Sequence, residues 1–118
     1  MVNTLREIQN TKGVVGAFIV NKKSNVAASV GELEAIPLKS MAVELNNFFN
    51  DNSIVATHPE KLQFLFDNRI ILIQVLEIGY VVVLCEVNAV TALLRLSLNV
   101  AFTKIKNNNK ILNSIANA

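Results

Sequence analysis

A chain of 118 residues, 52% of them hydrophobic and 17% charged, is long enough for one domain with a sizeable core. Its formal charge of +2, from 11 basic and 9 acidic residues, is too small to mark a nucleic-acid partner. One cysteine, Cys85, excludes an internal disulfide and fits a reducing compartment. The opening Met1-Val-Asn-Thr-Leu-Arg-Glu-Ile8 lacks the basic-then-apolar pattern of a secretory signal, so the chain reads as cytoplasmic. Mean hydropathy of +0.41 is high for a soluble monomer. Two sources account for it, a sheet buried on both faces and apolar surface kept for a partner, and both are expected.

Val2, Leu5 and Ile8 recur at spacing three and predict a short amphipathic first helix, with Asn3 as its N-cap and a stop near Asn10–Gly13. Val14–Val20 reads as a buried strand, in which Gly16 and Ala17 leave room for a helix to approach. Asn21–Asn25 is a turn and Val26–Val30 a returning strand, together a hairpin. Gly31–Pro37 leads into a second helix whose stripe is Met41, Leu45, Phe48 and Phe49, with Ala42 beside it; Lys39, Glu44, Asn46 and Asn47 lie off the stripe. The helix ends in Asn50–Ser53, and Ile54–Pro59 is a connection.

Glu60–Phe66 alternates, with Leu62, Phe64 and Phe66 on one face and Lys61, Gln63 and Leu65 on the other. Such mixed polarity predicts a third strand near a sheet edge. Asp67-Asn68 turns into the most apolar part of the chain, Arg69–Leu76 and Gly79–Cys85, two strands joined at Glu77-Ile78. Because both arms are almost continuously apolar, helices are expected on both faces of the sheet. Gln74, Glu77 and Gly79 break the run well short of the ~18 apolar residues that a membrane helix needs. Asn88 then caps a long final helix with the stripe Val90, Leu94, Leu98, Ala101 and Ile105, broadened by Leu93 and Ser97. Asn107–Asn109 weakens helix propensity, so residues 107–118 are either a helical extension or a mobile tail. The order is α-β-β-α-β-β-β-α in a single domain over 1–118: α+β, three layers, with a five-stranded antiparallel sheet between helices.

The residues hold no catalytic constellation. His58 is the only histidine, stands in a loop beside Pro59 and has no second metal ligand or nucleophile near it. Gly13–Gly16 lacks the spacing and the Lys-Ser/Thr of a phosphate loop. The acids are scattered, Tyr80 lies inside a strand, and Lys22-Lys23 and the Lys104, Lys106 and Lys110 group are modest solvated features. No enzyme activity, cofactor or metal is therefore expected.

Leu5–Ile8 followed by Gly13–Val20, the strand Val26–Gly31, the strand Gly79–Cys85, and Asn88–Ala101 with its Leu94-Arg95 and Leu98-Asn99 come in an order and spacing that resembles the roadblock family. This family includes dynein light chains and bacterial and archaeal regulators of small GTPases. The likeness covers about residues 2 to 106; at the first hairpin turn this chain has Lys23-Ser-Asn25 where the family often has Asp-Gly. The resemblance implies a roadblock domain, akin to profilin and longin folds, that forms a homodimer by pairing third strands edge to edge and packing second helices together. In this chain those elements are Lys61–Phe66 and Leu38–Phe49, with Met41, Leu45, Phe48, Lys61, Gln63 and Leu65 as the candidate interface. It further implies a Ras-like small GTPase as partner, to be regulated or scaffolded, with neither nucleic acid nor membrane span. None of Arg6, Arg69 and Arg95 carries a motif that would make it an arginine finger. The alternatives are a structural subunit of a larger assembly without GTPase contact, or a profilin- or longin-like binding module. A chain with no Trp and one Tyr is poorly equipped for a proline-rich peptide.

Overall fold

A two-stranded hairpin, a three-stranded meander and the long connection between them build the sheet. The computed structural model describes residues 2–33, 36–50, 60–66, 68–89 and 92–118. In chain order these form α1 (Val2–Gln9), β1 (Val14–Asn21), β2 (Val26–Gly31), α2 (Leu38–Asn50), β3 (Lys61–Phe66), β4 (Arg69–Leu76) and β5 (Gly79–Glu86). A 3₁₀ turn (Val87–Ala89), α3 (Ala92–Lys106) and α4 (Asn109–Ala116) follow. The strands lie in the order β2-β1-β5-β4-β3, every neighbour antiparallel. The architecture is α+β, with helices on both faces of the sheet.

Strand alternation divides the core in two. On one face Ala17 and Ile19 of β1, Leu72 and Leu76 of β4, and Val81, Val83 and Cys85 of β5 pack with Leu5 and Ile8 of α1 and with Leu94, Leu98, Phe102 and Ile105 of α3. On the other, Phe18, Val20, Ile71, Ile73, Tyr80, Val82 and Leu84 meet Leu33 and, from α2, Ala42 and Phe49. Central strands therefore have no solvated face, which is why their sequences lack alternation. Leu76 pairs with Gly79 across the tight turn Glu77-Ile78, as the sequence predicts.

Gly13 takes φ +95° after α1, the left-handed conformation that glycine adopts without steric cost. Gly16, however, makes room for a strand and a loop and not for a helix: a Cβ there would stand 2.9 Å from the Val30 carbonyl oxygen and 2.8 Å from Leu33 Cδ2. Asn3 lies inside α1 and does not cap it. Val2 is 42% exposed, because a helix of eight residues presents only Leu5 and Ile8 squarely to the sheet. Leu93, expected to widen the α3 stripe, is 73% exposed, and Phe102 fills that role. Leu93 is turned about 100° from Leu94 around the helix, beyond the reach of a flat sheet surface. Asn88 sits within the 3₁₀ turn, while Val90, His58 and residues 51–59 lie outside the described residues.

The C-terminal segment is a helix in its own right. Asn108 adopts an extended backbone and its side chain accepts from the Ile111 N–H at 3.1 Å, starting α4 anew after the break in α3. Ile111 and Ile115 are buried in the same core as α1 and α3.

Candidate partner interface

Among the described residues, β3 is hydrogen-bonded to a strand on one side only. The Val75 N–H donates to the Glu60 carbonyl at 2.8 Å, which fixes the phase of the β3–β4 ladder. Hydrogen-bonded and non-hydrogen-bonded pairs alternate along an antiparallel ladder. Leu62, Phe64 and Phe66 therefore bond to β4, whereas the N–H and C=O groups of Lys61, Gln63 and Leu65 point away from the sheet. Those three predicted residues carry the free main-chain edge.

Their side chains are a separate matter. Lys61 Nζ donates to Asn99 Oδ1 on α3 at 2.6 Å, and Arg95 donates to the Gln63 side-chain oxygen. Lys61, Gln63 and Leu65 thus lie on the α3 face of the sheet, and Lys61 and Gln63 border a groove of about 340 Å3 reaching Leu98 and Phe102. Leu65 is 71% exposed, an apolar side chain left in water on an open edge.

Met41, Leu45 and Phe48 lie on the opposite face. They form the flank of α2 next to the buried line Ala42, Asn46 and Phe49, and each is half-buried against the sheet. Phe48 points toward the open edge: its ring meets Phe64 of β3 edge-on at 5.6 Å and Phe49 edge-on at 5.2 Å. Phe49 stacks on Tyr80 at 4.7 Å. A row of rings, Phe64–Phe48–Phe49–Tyr80, thereby runs from the edge strand into the core. So the six predicted residues do not make one side-chain patch. They flank a single edge from two faces, and Phe64, absent from the predicted set, joins α2 to β3. Its place on the α2 face was readable from the β3 alternation; its ring contact was not.

Other features offer less. Leu93, Leu96 and Val100, at 73%, 62% and 52% exposure, make a second apolar line on α3. An open groove of about 700 Å3 between α1 and α3 is lined by exposed side chains such as Glu7, Asn10, Lys12 and Glu86, with no set converging on one point. Lys104 and Glu7 form a solvated ion pair at 3.2 Å. Burial pushes the Cys85 thiol up to about 11, with the Arg95 guanidinium pulling part of the way back. Among the described residues, no three His, Cys, Asp or Glu side chains gather as metal ligands would, and no helix is long and apolar enough to cross a membrane.

This arrangement of sheet and helices has solved counterparts. Myxococcus xanthus MglB is 15% identical, with 95% of this chain and 90% of that one covered at a TM-score of 0.73. A structure described as MglB with tetrameric arrangement is 16% identical, covering 89% of this chain and 84% of that one at a TM-score of 0.75. The Roadblock/LC7 domain from Streptomyces avermitilis is 10% identical, covering 90% and 94% at a TM-score of 0.71. At these identities the likeness is one of fold: the chain has the roadblock/LC7 fold. No family sequence model and no curated protein sequence matches it.

Proposed function

We propose that this chain is a non-catalytic, cytoplasmic interaction module that pairs with a second copy of itself and binds a Ras-like small GTPase, which it regulates or scaffolds. The observation that carries the reading is the open β3 edge, with the main-chain groups of Lys61, Gln63 and Leu65 turned outward and the α2 flank of Met41, Leu45 and Phe48 beside it. An unpaired edge with an exposed leucine is a template for another strand. A two-fold axis there would join two five-stranded sheets into one and set the two α2 helices side by side. The whole-domain likeness to MglB and to a roadblock/LC7 domain supports the same reading, and one MglB structure is itself described as a tetrameric arrangement.

Light scattering after size exclusion at micromolar concentration tests self-association. Leu65→Pro removes an outward N–H that β4 does not use, so it should give folded monomers, as should Leu65→Lys. Leu96→Lys, on the exposed α3 line, should leave the dimer intact. The reverse pattern, with Leu96→Lys dissociating the chain and the Leu65 variants not, moves the interface to α3; a strictly monomeric wild type removes the proposal. Capture of GTPases from the same source, loaded with GDP or a non-hydrolysable GTP analogue, tests the partner. Equal indifference to all of them leaves a structural subunit as the better account.

A further inference from the structure

Two asparagines at the first hairpin turn touch helices from both layers. Asn21, 1% exposed at the end of β1, donates through Nδ2 to the main-chain oxygens of Ile115 at 3.1 Å and Ala118 at 3.2 Å, at the end of α4. Its Oδ1 accepts from the N–H groups of Lys23 and Asn25, closing the turn on itself. Its main-chain oxygen accepts from Asn46 Nδ2 of α2 at 3.1 Å. Asn46 donates again to Ser24 Oγ at 2.9 Å and accepts from the Tyr80 hydroxyl at 3.2 Å. Asn25 makes a second bridge, donating to the Ala118 oxygen at 3.1 Å and accepting from Lys39 Nζ of α2 at 3.1 Å. Lys22 completes the cluster, donating to the Tyr80 hydroxyl and lying 4.6 Å above its ring.

We propose that this cluster makes α4 and α2 a single coupled unit across the sheet, so that release of α4 loosens α2. The two helices belong to different hydrophobic clusters, on opposite faces. Their link runs through the turn at Asn21–Asn25. Loss of the bonds to α4 leaves the Asn21 and Asn25 amides to find new partners and frees the turn whose carbonyl and Ser24 hydroxyl hold Asn46. α4 is suited to be the part that opens: it spans eight residues and anchors through Ile111 and Ile115 alone among fully buried positions. A segment or ligand that competes for the α4 site then acts on α2 from the other side of the molecule. That consequence for partner binding rests on α2 being the partner surface, whereas the coupling does not.

Amide hydrogen exchange on the 118-residue chain tests it. Asn21→Asp keeps the oxygen that closes the turn, removes the donor, and sets a negative charge against the Ile115 and Ala118 oxygens. Exchange should accelerate about tenfold or more in both α4 and α2, and stay unchanged in α1, which packs on the α4 face but does not bond to Asn21. Faster exchange in α4 with α2 unaltered overturns the coupling, and so does an α4 that does not respond. Ile111→Ala loosens α4 at its other end without touching the cluster and serves if Asn21→Asp unfolds the chain. The coupling again requires α2 to follow, and an α2 that keeps its wild-type rate refutes it. Loss of GTPase capture plays no part in this readout, so failure of the coupling and failure of the partner assignment are separable.

Discussion

At the level of single residues, burial decides chemistry more than identity does. Gln74 is 1% exposed on a β4 face otherwise made of Ile70, Leu72 and Leu76. Its Nε2 donates to the Glu60 and Val75 carbonyls, but among the described residues Oε1 has no partner. An orphaned buried acceptor costs about 1–3 kcal/mol, comparable to what its two donated bonds return. Gln74→Met, similar in volume and with no amide to satisfy, should therefore be neutral or stabilising by up to about 1 kcal/mol in urea unfolding. Cys85 shows the same logic in titration. Its thiol is raised from 9.0 to about 11, so it favours the folded state fully below about pH 9, and that contribution fades as pH rises through about 11. The stability difference between wild type and Cys85→Ala should accordingly narrow across that window. A disulfide reagent at neutral pH should label Cys85 only at the rate of unfolding.

At the level of elements, the sequence was most legible where one periodicity had no competitor. Arg69–Leu76 and Gly79–Cys85 read directly as buried strands because β-branched runs flank a two-residue turn, and the structure extends the second only to Glu86. The third strand was legible by its alternation, and its edge position by its mixed polarity. What escaped was set by partners distant in sequence. Asn46 lies off the apolar stripe of α2 in the sequence, yet it is buried, because Tyr80 and the Asn21 turn supply its bonds. Ser24 adopts φ +66° where a glycine would be at ease, and its hydroxyl is engaged by Asn46 in return. No local pattern encodes such a trade. The C-terminal segment escaped likewise, since three asparagines weaken a helix but one of them, Asn108, starts the next. Asn108→Ala should cost about 1 kcal/mol by removing that cap. Ile115→Ala, at a fully buried site, should cost about 2–5 kcal/mol. Both are measured by chemical denaturation, and a negligible cost at Ile115 would mean that α4 contributes no stability to the fold.

At the level of the whole molecule, most of the large exposed apolar residues fall in two groups, Phe64 and Leu65 on β3 and Leu93, Leu96 and Val100 on α3. Leu65 and Phe64 stand on the free strand, with Phe48 against Phe64, while the central strands are sealed on both faces. If two copies pair along this edge, folding and association are linked, and apparent stability must rise with protein concentration. The wild-type denaturation midpoint should therefore climb as the chain is concentrated from well below to well above its dissociation constant. Leu65→Pro separates the two contributions, because the N–H it deletes faces away from β4 and takes no part in the intramolecular ladder. Its midpoint should be independent of concentration and equal to that of wild type at high dilution. A midpoint for Leu65→Pro far below the dilute wild-type value would mean that β3 itself had been damaged. A wild-type midpoint that does not move with concentration would mean that the open edge is not closed by a second copy. The linkage thus tests the interface through the stability of the fold alone, without requiring the partner to be identified first.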